Sequence, residues 1–73
     1  MNLVSVVVES WRKGIEDIKV FKSYEDACEY VTDNDREWDG DHEHGTMVHN
    51  TTRRWSRYPL VDGEINVWEC ISE

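Results

Sequence analysis

The chain has 73 residues, 38% of them apolar, with four tryptophans, a formal net charge of −8 and three histidines. A chain this short buries only about 60% of its unfolded surface, so it is read as a single domain over residues 1–73. The apolar fraction is too high for a disordered polyanion, and no run approaches the roughly 18 apolar residues of a membrane span.

Leu3 to Glu9 (LVSVVVE) is a β-branched apolar run, the pattern of a strand buried on part of both faces. It has no basic leader or small-residue cleavage site, so it reads as a strand in a cytoplasmic protein rather than a signal peptide. Trp11-Arg12-Lys13-Gly14 then marks a turn in which Gly14 takes a positive φ, and Ile15 to Lys22 returns as the second strand of a hairpin. Ser23 is placed to cap a helix, with Asp26 three residues on. That helix carries Tyr24, Ala27, Cys28 and Val31 at i, i+3, i+4 and i+7, one apolar stripe for a sheet, and it fades near Asp33.

Residues 33–45 read as an acidic loop in which Asp33, Asp35, Glu37, Asp39, Asp41 and Glu43 alternate with other residues. Thr46 to Arg54 has strand composition with weak alternation, which predicts an exposed or edge strand. Pro59 marks a break, Asp62-Gly63 a hairpin turn, and Ile65 to Ile71 a strand inside the sheet. The expected fold class is α+β: a small antiparallel four-stranded sheet, β-β-α-β-β, with one helix on one face. One helix cannot cover four strands, so valines and tryptophans are left on the other face, which points to a homodimer. Cys28 and Cys70, without C-x-x-C spacing, read as buried thiols rather than a disulfide.

Charge is unevenly placed. Of sixteen acids and eight bases, the segment from Glu25 to Glu43 holds nine acids and one base, Arg36, so the rest of the chain is neutral. Three chemistries compete for this segment. In one register Asp35, Glu37, Asp39, Gly40 and Glu43 match positions 1, 3, 5, 6 and 9 of a calcium loop. Position 12 is Thr46, however, and a strand is expected where the second helix belongs. His42, His44 and His49 offer a zinc alternative, since His-x-His on a strand puts two imidazoles on one side. Catalysis has less support, because acid/base work needs a desolvated carboxylate and no nucleophile stands in a recognisable motif. No cofactor is implied.

Arg53-Arg54-Trp55-Ser56-Arg57-Tyr58 has the composition of a nucleic-acid contact, yet the charge of −8 repels a phosphate backbone. These arginines are expected to pair with the acidic tract, within or between chains. The remaining reading is a non-enzymatic binding surface for a basic protein, built from Glu25, Glu29, Asp33, Asp35, Glu37, Asp39, Asp41 and Glu43. A divalent-metal module and a structural homodimer with a solubilising loop are the alternatives.

Val20-Phe21-Lys22-Ser23-Tyr24-Glu25-Asp26-Ala27-Cys28-Glu29-Tyr30-Val31 resembles a pattern in small, mostly uncharacterised proteins of bacteria and their phages. In that pattern a hairpin ends in F-x-S/T, a helix follows with E-x-A-x-x-Y/F-V, and strands close the sheet. The resemblance covers about the first 32 residues and implies a compact accessory protein, phage-encoded and acting in the host cytoplasm. Small acidic proteins of that kind often occupy the nucleic-acid groove of a host defence or transcription protein. The acidic loop and the final hairpin lie outside the shared pattern.

Overall fold

In the computed structural model, which describes residues 2–12, 14–33, 40–49 and 51–72, the apolar N-terminal run becomes β1 (Asn2–Trp11). It is interior to the sheet, pairing antiparallel with β2 (Gly14–Phe21) on one side and with β5 (Gly63–Ser72) on the other. The β1–β2 turn forms where expected: Gly14 has φ +117°, and a Cβ there would meet nothing within 4 Å. Conformation, not space, therefore selects the glycine. A bulge between Glu9 and Ser10 brings Ile15 opposite Ser10.

Ser23 caps α1 (Tyr24–Asp33) through its Oγ, which accepts a hydrogen bond from the Asp26 amide at 3.0 Å. Tyr24, Ala27 and Val31 are buried against Val7, Tyr58, Leu60, Ile65 and Val67. Cys28, Trp11, Phe21 and Tyr30 pack around the margin of this core. The apolar stripe read from the sequence is thus the face the helix buries.

The α+β class with one helix stands, but the sheet has five strands in the order β2-β1-β5-β4-β3, giving β-β-α-β-β-β rather than β-β-α-β-β. The stretch expected as one exposed or edge strand, Thr46 to Arg54, spans parts of two: β3 (Glu43–His49) and β4 (Thr52–Leu60). Only β3 is an edge; β4 lies between β3 and β5. The acidic loop is also shorter than expected, because its last residues are paired: Glu43 stands opposite Arg57 and Gly45 opposite Trp55. A strand with few apolar residues survives there since an edge strand exposes much of its surface.

Pro59 does not break the sheet. Leu60 and Gly63 close the β4–β5 hairpin, so the neighbouring pair Pro59–Glu64 exchanges no ladder bonds. The proline nitrogen faces the β3 side, where pairing ends at Arg57. The turn residues are Val61 and Asp62, one position before the expected Asp62-Gly63. Gly63 instead begins β5 against β1, where a Cβ would lie 2.2 Å from the Ser10 carbonyl oxygen. Close backbone approach, not turn conformation, demands this glycine.

Strand alternation divides the sheet into two unlike faces. Ser5, Val7, Arg54, Ser56, Tyr58, Ile65, Val67 and Glu69 lie on the helix side. Opposite them, cross-strand pairing aligns Val20, Val6, Trp68, Trp55 and Gly45 in one row. Ile18, Val8, Asn66, Arg57 and Glu43 form the next. Cys28 and Cys70, both half-buried free thiols, fall on opposite faces.

Candidate interaction surface

The outer side of α1 is acidic from end to end. Glu25, Asp26, Glu29 and Asp33 are exposed, and the last turn contains no base. Glu25, Glu29 and Asp33 recur every fourth residue, which stacks them along one helix edge at about 6 Å intervals. The N-terminal acids suit the helix dipole, whereas Asp33 sits at the end where the dipole disfavours a negative charge.

The N-terminal end of this stripe is tied to the sheet. Arg54 donates from Nε to Glu69 Oε1 at 3.0 Å and from a terminal nitrogen to Glu69 Oε2 at 3.1 Å. The same terminal nitrogen reaches Glu25 Oε1 at 3.0 Å. Its guanidinium also lies over the Tyr24 ring, 4.2 Å from the centroid. Glu69 is 5% exposed, so the sheet holds a buried carboxylate that a fork-shaped cation covers in bidentate fashion. These bonds, led by those to Glu69, raise the Arg54 pKa. The Glu25 carboxyl is held below its usual range, first by its backbone amide at the helix start and then by Arg54.

Below this latch, Tyr24 and Ser56 share a buried hydrogen bond between hydroxyls. Burial raises both tyrosine pKa values; proximity to Cys28 adds to the effect at Tyr58, while the Ser56 bond opposes it at Tyr24. Both therefore remain protonated hydrogen-bonding groups at neutral pH.

The eight acids singled out from the sequence do not form one continuous surface among the described residues. Glu25, Glu29 and Asp33 share the helix, Asp41 is exposed before β3, and Glu43 falls on the sheet face opposite the helix. Asp35, Glu37 and Asp39 lie outside the described residues. The calcium register loses those same three positions from view; of its other members, Gly40 has φ +119° and Glu43 is a strand residue opposite Arg57. Among the described residues no group of three or more His, Cys, Asp or Glu side chains is placed to hold a metal.

His42 and His44 do fall on one side, as His-x-His on a strand requires, but their rings stack. His42 stacks on Tyr58 as well, with centroids 5.1 Å apart. The His49 side chain lies outside the described ones. The basic, aromatic stretch is divided by alternation: Arg54, Ser56 and Tyr58 face the helix side, Trp55 and Arg57 face away, and Arg53 is exposed where the β4–β5 register shifts between Thr52 and Arg54. Arg54 pairs with Glu25 and Glu69, and Arg57 with Glu64 at 3.2 Å. Only Glu25 among these partners belongs to the acidic segment.

The buried Glu69 was not visible as a partner in sequence. Its signal was a lone acid within the apolar run INVWECI, fifteen residues from the arginine that neutralises it. No protein-family model, curated protein or solved structure matches the chain. Fold and surface thus define a small α+β protein with one strongly acidic helix face. No described helix is long and apolar enough to cross a membrane.

Proposed function

We propose that this is a non-enzymatic interaction protein that presents the acidic side of α1, continued by the acids that follow it, to a basic protein surface. The observation that carries this reading is the stripe Glu25, Glu29 and Asp33, in which Arg54 engages Glu25 alone among the described residues and which ends on an aspartate that opposes the helix dipole. A helix selected only for stability and solubility would mix signs and place a base in its last turn. A row of carboxylates at one-turn spacing is comparable to the charges along a nucleic-acid strand. A groove evolved for phosphates is therefore the basic surface it suits best. The resemblance to bacterial and phage accessory proteins supports the same reading, with an inhibitor acting in the host cytoplasm as its most concrete form.

The test is capture from host-cell lysate at low and high salt, with Glu29→Lys/Asp33→Lys as the control bait. A basic nucleic-acid-binding protein held at low salt, released at high salt and lost with the variant is expected. Equal capture by both baits would remove the helix from the reading.

A further inference from the structure

We infer that the sheet face away from the helix docks a second copy of this chain about a two-fold axis running along β5. Among the described residues, three of the five exposed large apolar side chains lie on this face at the β2 edge: Ile15, Ile18 and Val20, exposed by 66%, 56% and 67%. They continue inward through Val6 and Val8 to Trp68 and Trp55, which are directly paired. A contiguous apolar surface of this kind on a small protein marks an interface.

Charge selects the occupant. The described charged strand residues on this face are Glu43, Arg53, Arg57 and Glu64, two acids and two bases, and Arg57 is paired with Glu64. A nucleic acid needs a field of cations and an acidic or basic protein needs a field of one sign; equal numbers of acids and bases offer neither. The acids of α1 lie on the far side of each protomer, so two copies approach through their least charged surfaces.

Size and shape agree. Strands of seven to ten residues, at about 3.3 Å per residue and about 4.8 Å apart, give a five-stranded face of about 600–700 Å² per protomer. Two such faces bury about 1,300 Å², within the range of specific interfaces. The central row reads Val20, Val6, Trp68, Trp55, Gly45 across the sheet. A two-fold along β5 lays this row over its own reverse, so Trp68 meets Trp68, Val6 meets Trp55, and Val20 meets Gly45. Gly45 makes room for the Trp55 ring, which lies across it: a Cβ there would come within 3.2 Å of that ring. On each side of the axis a Val6 thus faces a Trp55 indole, small against large, as interdigitated sheets require.

Sedimentation velocity from low-micromolar to near-millimolar protein is the test, with Val20→Lys as the disrupting variant. Val20 is two-thirds exposed, so circular dichroism should be unchanged while self-association weakens about tenfold or more, because each copy now buries a lysine. Cys70 lies on this face in the axial strand, two residues from Trp68, whereas Cys28 is on the other face. A short bismaleimide should therefore link two copies through Cys70, and a Cys70→Ser variant should not cross-link. A protein monomeric at near-millimolar concentration, a dimer unaffected by Val20→Lys, or cross-linking through Cys28 would overturn the proposal. So would saturable quenching of tryptophan fluorescence by single-stranded oligonucleotide on a monomer, which would assign the face to nucleic acid.

Discussion

Replacing Arg54 by alanine leaves the buried Glu69 carboxylate without its cation. Removing one partner of a fully buried ion pair costs about 3–5 kcal/mol. Here Glu69 has a side chain 7% exposed, but that of Arg54 is 39% exposed, so water can partly solvate the abandoned carboxylate. The expected loss is accordingly smaller, about 2 kcal/mol. For a domain of this size total stability is about 4–11 kcal/mol, and the loss corresponds to a fall in Tm of about 8–16 °C. Urea unfolding followed by tryptophan fluorescence measures it directly. The same experiment on Arg54→Met/Glu69→Leu should recover much of the loss, since an apolar pair leaves no buried charge. Arg54→Lys should fall between wild type and Arg54→Ala, because an ammonium cannot reproduce the bidentate fork. If Arg54→Ala unfolds within about 0.5 kcal/mol of wild type, or if single effects at Arg54 and Glu69 simply add, the buried Glu69 carboxylate does not depend on Arg54.

Other consequences follow from single positions. Gly63→Ala drives a Cβ into the Ser10 carbonyl and should cost about 3 kcal/mol, the upper end of overpacking; urea midpoints at equal slope would show it. Ser5 is 1% exposed, and its hydroxyl has no hydrogen-bond partner among the described residues. Ser5→Ala should therefore be neutral or stabilise by about 1 kcal/mol, and a destabilised variant would reveal a missed partner. The Glu25 carboxyl, lowered from 4.5, should titrate by NMR below an ordinary glutamate and move upward in Arg54→Ala. Its contribution to stability is present above the unfolded-state value and lost as pH falls through the depressed one; an unchanged midpoint in the variant would contradict the Arg54 contact.

Local signals carried the N-terminal half of the fold. Gly14, the Ser23 cap and the Tyr24, Ala27 and Val31 stripe are all short-range features, legible because each satisfies a rule within one turn of chain. The C-terminal half was harder because its determinants are pairings. The residues before Thr46 look like solvated loop until Arg57 and Trp55 are brought opposite them, and Pro59 looks like a break until β3 is known to end before it. Gly63 has the sequence signature of a turn, while its necessity comes from Ser10, fifty-three residues away. Of the candidate site, Glu25 and Glu29 were legible as helix acids, whereas Asp33 reads as the start of the acidic loop and is the last residue of α1. What sequence could not show was that Glu25 is partly engaged by Arg54 and that Glu43 faces the other way.

The most direct measurement of the central claim uses Asp33→Lys, because stability and binding should then move in opposite directions. A lysine at the helix C-terminus should stabilise the fold by about 0.3–1 kcal/mol through the dipole. The same change should weaken capture of the basic partner and flatten its salt dependence. A variant that is more stable and binds less is the predicted result. A variant that is more stable and binds equally well would show that the acidic stripe serves solubility alone.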